Sequence, residues 1–155
     1  MGTTQRFEDI LAWQKSRGLA NRVYECTNKG SFQRDFKLRD QINGSSGSVM
    51  DNIAEGFERD GKKEFRQFLS ISKGSSGEVK SQLCRALDRK HITEIEFNEL
   101  YKEADEIGKM IGGFMGYLSK SEIAGNKFKE PSVYYGKPKK IKKVPVPKLK
   151  KASNK

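Results

Sequence analysis

A single histidine and two cysteines are all that 155 residues supply of those types, and each scarcity excludes chemistry. His91 is the whole imidazole supply. It follows Lys90 in a connecting segment with no evident base or nucleophile beside it, so histidine-based catalysis is not expected. Cys26 and Cys84 lack metal-ligand spacing, which removes most zinc sites. Both are read as reduced helix residues rather than as a disulfide. No run of 18 apolar residues exists, so no transmembrane helix is expected. The opening MGTTQRFEDI has no apolar signal core, and Arg6 stands where a myristoylation signal has Ser or Thr. The expectation is a soluble, cytoplasmic protein. The two GSSG pieces follow no strand and are not part of a G-x-x-x-x-G-K-[ST] phosphate loop. The acidic run ITEIEFNELYKEADE lacks the ligand spacing of a calcium loop and reads as a solvated helix face. No catalytic residue, metal or cofactor emerges, so no enzymatic activity is expected.

What the chain has is charge, unevenly placed. Net charge is +11. Residues 1–120 hold 20 Lys and Arg against 18 Asp and Glu, whereas residues 121–155 hold 11 Lys against two Glu. Two regions follow: a nearly neutral folded domain over 1–120 and a Lys/Pro-rich tail over 121–155. Pro138, Pro145 and Pro147 oppose helix in the tail, and it has too few apolar residues to build a core, so it is expected to be disordered.

Four helices are predicted in the first region. The first covers about 7–28, with Trp13, Ser16, Ala20, Val23 and Thr27 at 3-4-3-4 spacing. Lys29-Gly30 ends it. The second starts near Ser31 as N-cap. One stripe, Leu38, Ile42, Ser45, Val49, Asn52 and Gly56, lies about 100° from another, Ser46, Met50, Ala54 and Phe57. An arc that wide predicts cover on two sides and, from the second face, an oligomer. After a turn at ERDG, the third helix covers about 62–90 with Phe65, Leu69, Ser72, Ser76, Val79, Leu83 and Ala86 inward. The fourth opens on Thr93 with Glu96, a capping-box pattern. Phe97, Leu100, Ala104, Ile107, Ile111, Phe114 and Leu118 continue it at unbroken 3-4 spacing.

GSSGS (44–48) has the composition of a linker, yet the helical stripe runs through it. Folding the second and third helices antiparallel about residues 58–62 brings Ser46 level with Ser75, so GSSGS faces KGSSG (73–77). Small residues on facing helices let backbones approach. Each interior Gly costs about 1 kcal/mol against Ala, a cost that close packing would offset. Two helices in close contact are therefore expected, not a hinge. Four helices of similar length with short connections give an all-α, up-down-up-down four-helix bundle.

FEDILAWQKS (7–16), NIAEGFER (52–59), KKEFRQFLSISKGSSGEVKSQL (62–83) and EIGKMIGGF (106–114) resemble bacterial four-helix-bundle proteins of the rRNA intervening-sequence type. That family is encoded within insertions in large-subunit rRNA genes. Its relatives include the accessory variability protein of diversity-generating retroelements. The resemblance covers about residues 7–118. It implies a ring-like homopentamer without established enzymatic activity. The retroelement relative is a basic nucleic-acid-binding partner of a reverse transcriptase. This sequence departs from the family pattern in having Asn43 and Gly44 where a basic pair usually precedes NIAEG, and Met50 in place of the usual Pro. The Lys-rich tail is not a general family feature either.

The candidate nucleic-acid-binding residues fall in two groups. In the tail, Lys137, Lys139, Lys140, Lys142, Lys143, Lys148, Lys150 and Lys151 form a cationic arm suited to phosphate. Tyr134 and Tyr135 nearby are able to stack on unpaired bases. The competing reading is a solubilising tail without a specific partner. A membrane surface is disfavoured, because nothing amphipathic accompanies the lysines. The second group is Arg59, Lys62, Lys63 and Arg66 around one turn, either an RNA contact at a bundle end or simply solvated charge. Asn52 and Glu55 are expected to sit in a satisfied polar network, with Arg66 as Glu55's partner. Trp13 is expected in the core. The sequence thus predicts an oligomer that binds RNA or another nucleic acid electrostatically. The alternative is an adaptor whose ring docks another protein, such as a reverse transcriptase.

Overall fold

Leu11–Thr27 (α1), Phe36–Glu58 (α2), Lys62–Asp88 (α3) and Glu94–Lys120 (α4) are α-helices, joined by short 3-10 helices at Phe7–Asp9 and Gly30–Arg34. The computed structural model describes residues 4–120, so the expectations for the tail lie outside the described residues. Each helix packs on its neighbours in the chain, and α1 closes the arrangement on α4. The result is an all-α, up-down-up-down four-helix bundle.

The helix ends show local rules at work. Thr93 and Glu96 form the reciprocal capping box: Thr93 Oγ1 accepts from the Glu96 N–H at 3.1 Å, and Glu96 Oε1 accepts from the Thr93 N–H at 3.1 Å. The first helix is interrupted where continuity was expected. Phe7–Asp9 is 3-10, and Ile10 is extended (φ −74°, ψ 120°) before α1 begins. The break buries Ile10 and lets Phe7 meet Trp13 edge-on at 5.2 Å. The N-cap of α2 is also displaced. Asp35, not Ser31, takes that place, its Oδ1 accepting from the Leu38 N–H at 3.3 Å. Ser31 instead lies in the 3-10 helix, which opens on Gly30 in its left-handed conformation (φ 60°).

The core is the apolar stripes. All seven predicted residues of α4 are buried, from Phe97 to Leu118, and Trp13 is buried as expected. Phe65 meets Phe114 edge-on at 5.3 Å in the middle of the bundle. The wide arc of α2 is covered within one chain. α3 takes one side, and α1 with the first 3-10 helix takes the other, leaving Met50, Ala54 and Phe57 partly buried against the core. The arc therefore requires no second subunit by itself. Any helix of a square bundle meets two neighbours.

The contact between α2 and α3 forms at the expected level, but its chemistry differs. Serines face inward and glycines outward. Ser72 Oγ donates to the Val49 carbonyl at 2.6 Å, Ser48 and Ser75 hydroxyls meet at 2.9 Å, and Ser45 Oγ donates to Gln82 Oε1. Asn52 Nδ2 completes this polar seam by donating to the Ser48 carbonyl at 2.8 Å and to its hydroxyl at 2.9 Å. A Cβ added at Gly44, Gly47, Gly74 or Gly77 meets nothing within 4 Å, so these glycines do not create the close approach. Gly56 does. A Cβ there lies 2.6 Å from Phe68 Cβ and 2.9 Å from the Phe65 ring.

Candidate nucleic-acid interface

The bundle has two ends, and the sequence placed its candidate site at one of them. There α2 ends and α3 begins, bringing Arg59, Lys62, Lys63 and Arg66 into the turn opened by Gly61 (φ 111°). Arg59 pairs with Glu55 at 3.0 Å, one helical turn back, and its guanidinium lies 5.4 Å from the Phe68 ring centre. Glu55 therefore takes Arg59 rather than the expected Arg66. The i,i+4 neighbour on the same helix is nearer than a side chain across the turn. Lys63 and Arg66 are exposed and have no ion pair among the described residues. Segment 58–66 holds four cations against three carboxylates, so its charge is almost cancelled. The eight tail lysines lie outside the described residues.

The opposite end holds the arrangement that sequence reasoning missed. His91 has partners after all. Its Nε2 lies 2.9 Å from Asp35 Oδ2, and its Nδ1 lies 2.7 Å from Ser31 Oγ. The ring stacks on Phe32, with centres 5.1 Å apart. Arg89 Nη1 pairs with the same Asp35 oxygen at 2.8 Å. Hydrogen bonds from His91 and then Arg89 hold the Asp35 carboxyl down at about 2. One aspartate thus caps α2 and joins both connections at that end of the bundle. Residues 56 and 60 positions apart meet here, a separation that leaves no periodic signal in the sequence.

Ser, His and Asp hydrogen-bonded in series are the residue types of an acyl-transfer triad. Here the same groups also hold the fold together. Asp35 is divided among a helix cap, an arginine and the imidazole, and the ring is packed against Phe32. Next to this cluster, Glu96 is shared by the capping box and Lys29 at 3.3 Å. Burial raises the Glu96 carboxyl, but the Thr93 N–H and Lys29 outweigh it, and the net direction is down. Burial, reinforced by Glu96, pushes the Cys26 thiol up to about 11, so it is a poor nucleophile. Both cysteines are free thiols. Among the described residues no group of three His, Cys, Asp or Glu is placed to hold a metal ion. The apolar hollow between Ile10, Ile53, Phe65, Leu69, Ile111 and Phe114 has no room for a water. No helix among the described residues is long and apolar enough to cross a membrane.

No curated protein matches this chain. A solved structure from Bacteroides thetaiotaomicron is similar: a protein with unknown function from the S23 ribosomal protein family. It is 22% identical, with a TM-score of 0.63, and the match covers 68% of this chain and 98% of that one. That likeness concerns the fold. Residues 8–113, which take in all but the outermost residues of the four segments quoted above, match the family described as 23S rRNA-intervening sequence protein. With more than half its length matched to that family and the same bundle architecture in the Bacteroides protein, the chain belongs to the 23S rRNA-intervening sequence protein family.

Proposed function

We propose that this protein is a non-enzymatic RNA-binding bundle that acts as a homo-oligomer, with a Lys-rich arm supplying most of the affinity. The observation that carries this is the segregation of charge. Residues 1–120 are nearly balanced, whereas residues 121–155 hold 11 Lys against two Glu. Lysines on phosphates release condensed counterions, so binding by such an arm is strong at low salt and carries little sequence information. The family's description, which ties it to 23S rRNA intervening sequences, supports RNA as the nucleic acid. A pentamer is the state that the family resemblance implies, and it would multiply the number of arms.

The test is RNA binding at several salt concentrations, comparing the full chain with a truncation after Lys120. The arm reading expects tight, steeply salt-dependent binding by the full chain, and most of that affinity lost on truncation. If truncation changes neither affinity nor slope, the arm reading is wrong. If neither form binds RNA, the rival reading gains: a ring that docks another protein, such as a reverse transcriptase.

A further inference from the structure

We infer that the end of the bundle formed by the start of α2 and the α3–α4 connection is a second RNA contact, selective for single strands. Phe36 stacks on an unpaired base there, and Arg34, Lys37 and Lys90 hold flanking phosphates. The inference rests on the RNA-binding reading above and deepens it by adding a site outside the arm.

Four observations converge on this end. Segments 29–39 and 85–91 carry seven Lys and Arg against two Asp; Lys29, Arg39 and Arg89 pair with Glu96, Asp40 and Asp35, which leaves Arg34, Lys37, Arg85 and Lys90 against Asp88. Asp35 is consumed internally by Arg89 and His91, so it does little to screen a ligand's approach to its neighbours. Arg34, Lys37 and Lys90 are exposed and carry no ion pair among the described residues. The Asp35 clamp is what unites them, since it ties Arg89 and His91, on either side of Lys90, to the residue between Arg34 and Phe36.

Phe36 is the second observation. It is the first residue of α2, yet it remains 64% exposed. The Arg39 guanidinium lies 5.0 Å from its ring centre and is itself held by the Gln33 carbonyl at 3.0 Å. An open ring backed by a cation is the kind of platform on which single-stranded nucleic acids stack.

The third is Lys90. It is the one non-glycine residue with positive φ (60°) among those described, at a helix C-terminal position where glycine is the usual occupant. A lysine in that conformation is strained, and its side chain makes no described contact that would offset the strain. The turn is closed by its backbone, the Lys90 N–H donating to the Leu87 carbonyl and the His91 N–H to the Ala86 carbonyl, each at 2.9 Å, which leaves the lysine side chain free at the exposed tip.

The fourth concerns competing carboxylates, of which Asp88 and Glu94 stay exposed without an ion pair among the described residues while two others are engaged. Asp40 is engaged with Arg39 at 3.6 Å and Glu96 with Lys29 at 3.3 Å, so two further carboxylates at this end are already paired.

The experiment uses the full chain, fluorescently labelled single-stranded oligouridine and a duplex RNA of equal length, titrated over a range of salt. Phe36→Ala is expected to melt like the parent, because the ring is outside the core. It should weaken single-strand binding about fivefold to 150-fold at unchanged salt slope, the range found for removing one stacking platform. Duplex binding should stay the same, and Phe36→Tyr should restore the loss. Lys90→Gly should melt no earlier than the parent, yet flatten the salt slope for oligouridine by about 0.7. Phe36→Ala binding oligouridine within twofold of the parent overturns the inference, as does an equal loss on duplex. If Phe36→Ala is silent while truncation after Lys120 abolishes binding, this inference falls and the arm reading survives. If the parent binds neither RNA, both fall.

Discussion

At the scale of single residues, glycines and one aspartate separate two kinds of work. Gly56 is small because Phe65 and Phe68 leave no space for a Cβ. Gly56→Ala should therefore destabilise by roughly 1–3 kcal/mol through overpacking. Gly47 and Gly74 face open space in mid-helix. Gly47→Ala and Gly74→Ala should each stabilise by about 1 kcal/mol through helix propensity. Urea midpoints at constant m-value measure both signs, and a loss of stability at Gly47 or Gly74 would show that something packs on that face. Asp35 carries the pH prediction. Its folded carboxyl titrates at about 2, below the ordinary aspartate value of about 3.9. The stability it contributes is thus complete above about pH 4 and is lost as pH falls toward 2. Asp35→Asn keeps a good N-cap but loses the charge that His91 and Arg89 engage. The melting temperature of the variant should fall less steeply over that window than the parent's.

At the scale of elements, α4 was the most legible helix because its 3-4 spacing is unbroken and its capping box lies within four residues. Thr93→Ala should cost about 1 kcal/mol, read as a lowered urea midpoint. The α2–α3 pair was legible in register but not in mechanism. Counting outward from the turn placed Ser46 level with Ser75, and Ser48 meets Ser75 in the structure. Which of Gly and Ser turns inward depends on the rotation of each helix about its own axis. The sequence left that open, because both types are small. Ser75 is 6% exposed and bonded across the seam, so Ser75→Leu should overpack it and cost roughly 1–3 kcal/mol, whereas Gly74→Ala beside it should not. The start of α2 was misplaced by four residues. Ser31 and Asp35 are both good caps, and the choice between them was made by His91 and Arg89 from the far connection.

At the scale of the whole molecule, the square bundle covers both faces of α2, so the oligomer is an independent proposal rather than a consequence of an uncovered arc. Sedimentation velocity of the full chain should show a species several times the 17.6 kDa protomer at micromolar concentration, and a monomer alone would remove the ring from the proposal. The same bundle separates two charged ends. One, at the start of α3, is nearly neutral by count. The other, around Asp35, is cationic and carries an exposed aromatic ring.

Periodicity and charge balance are sums over neighbours in the chain, and those were determined by the sequence alone: four helices, their buried stripes and a cationic C-terminal segment. The meeting of Ser31, Asp35, Arg89 and His91 required two loops to close at one end of a folded bundle. That depends on helix length, crossing and rotation together, and no local pattern encodes it. The tertiary structure therefore decided which histidine partners exist, which serines touch and which bundle end carries the excess positive charge.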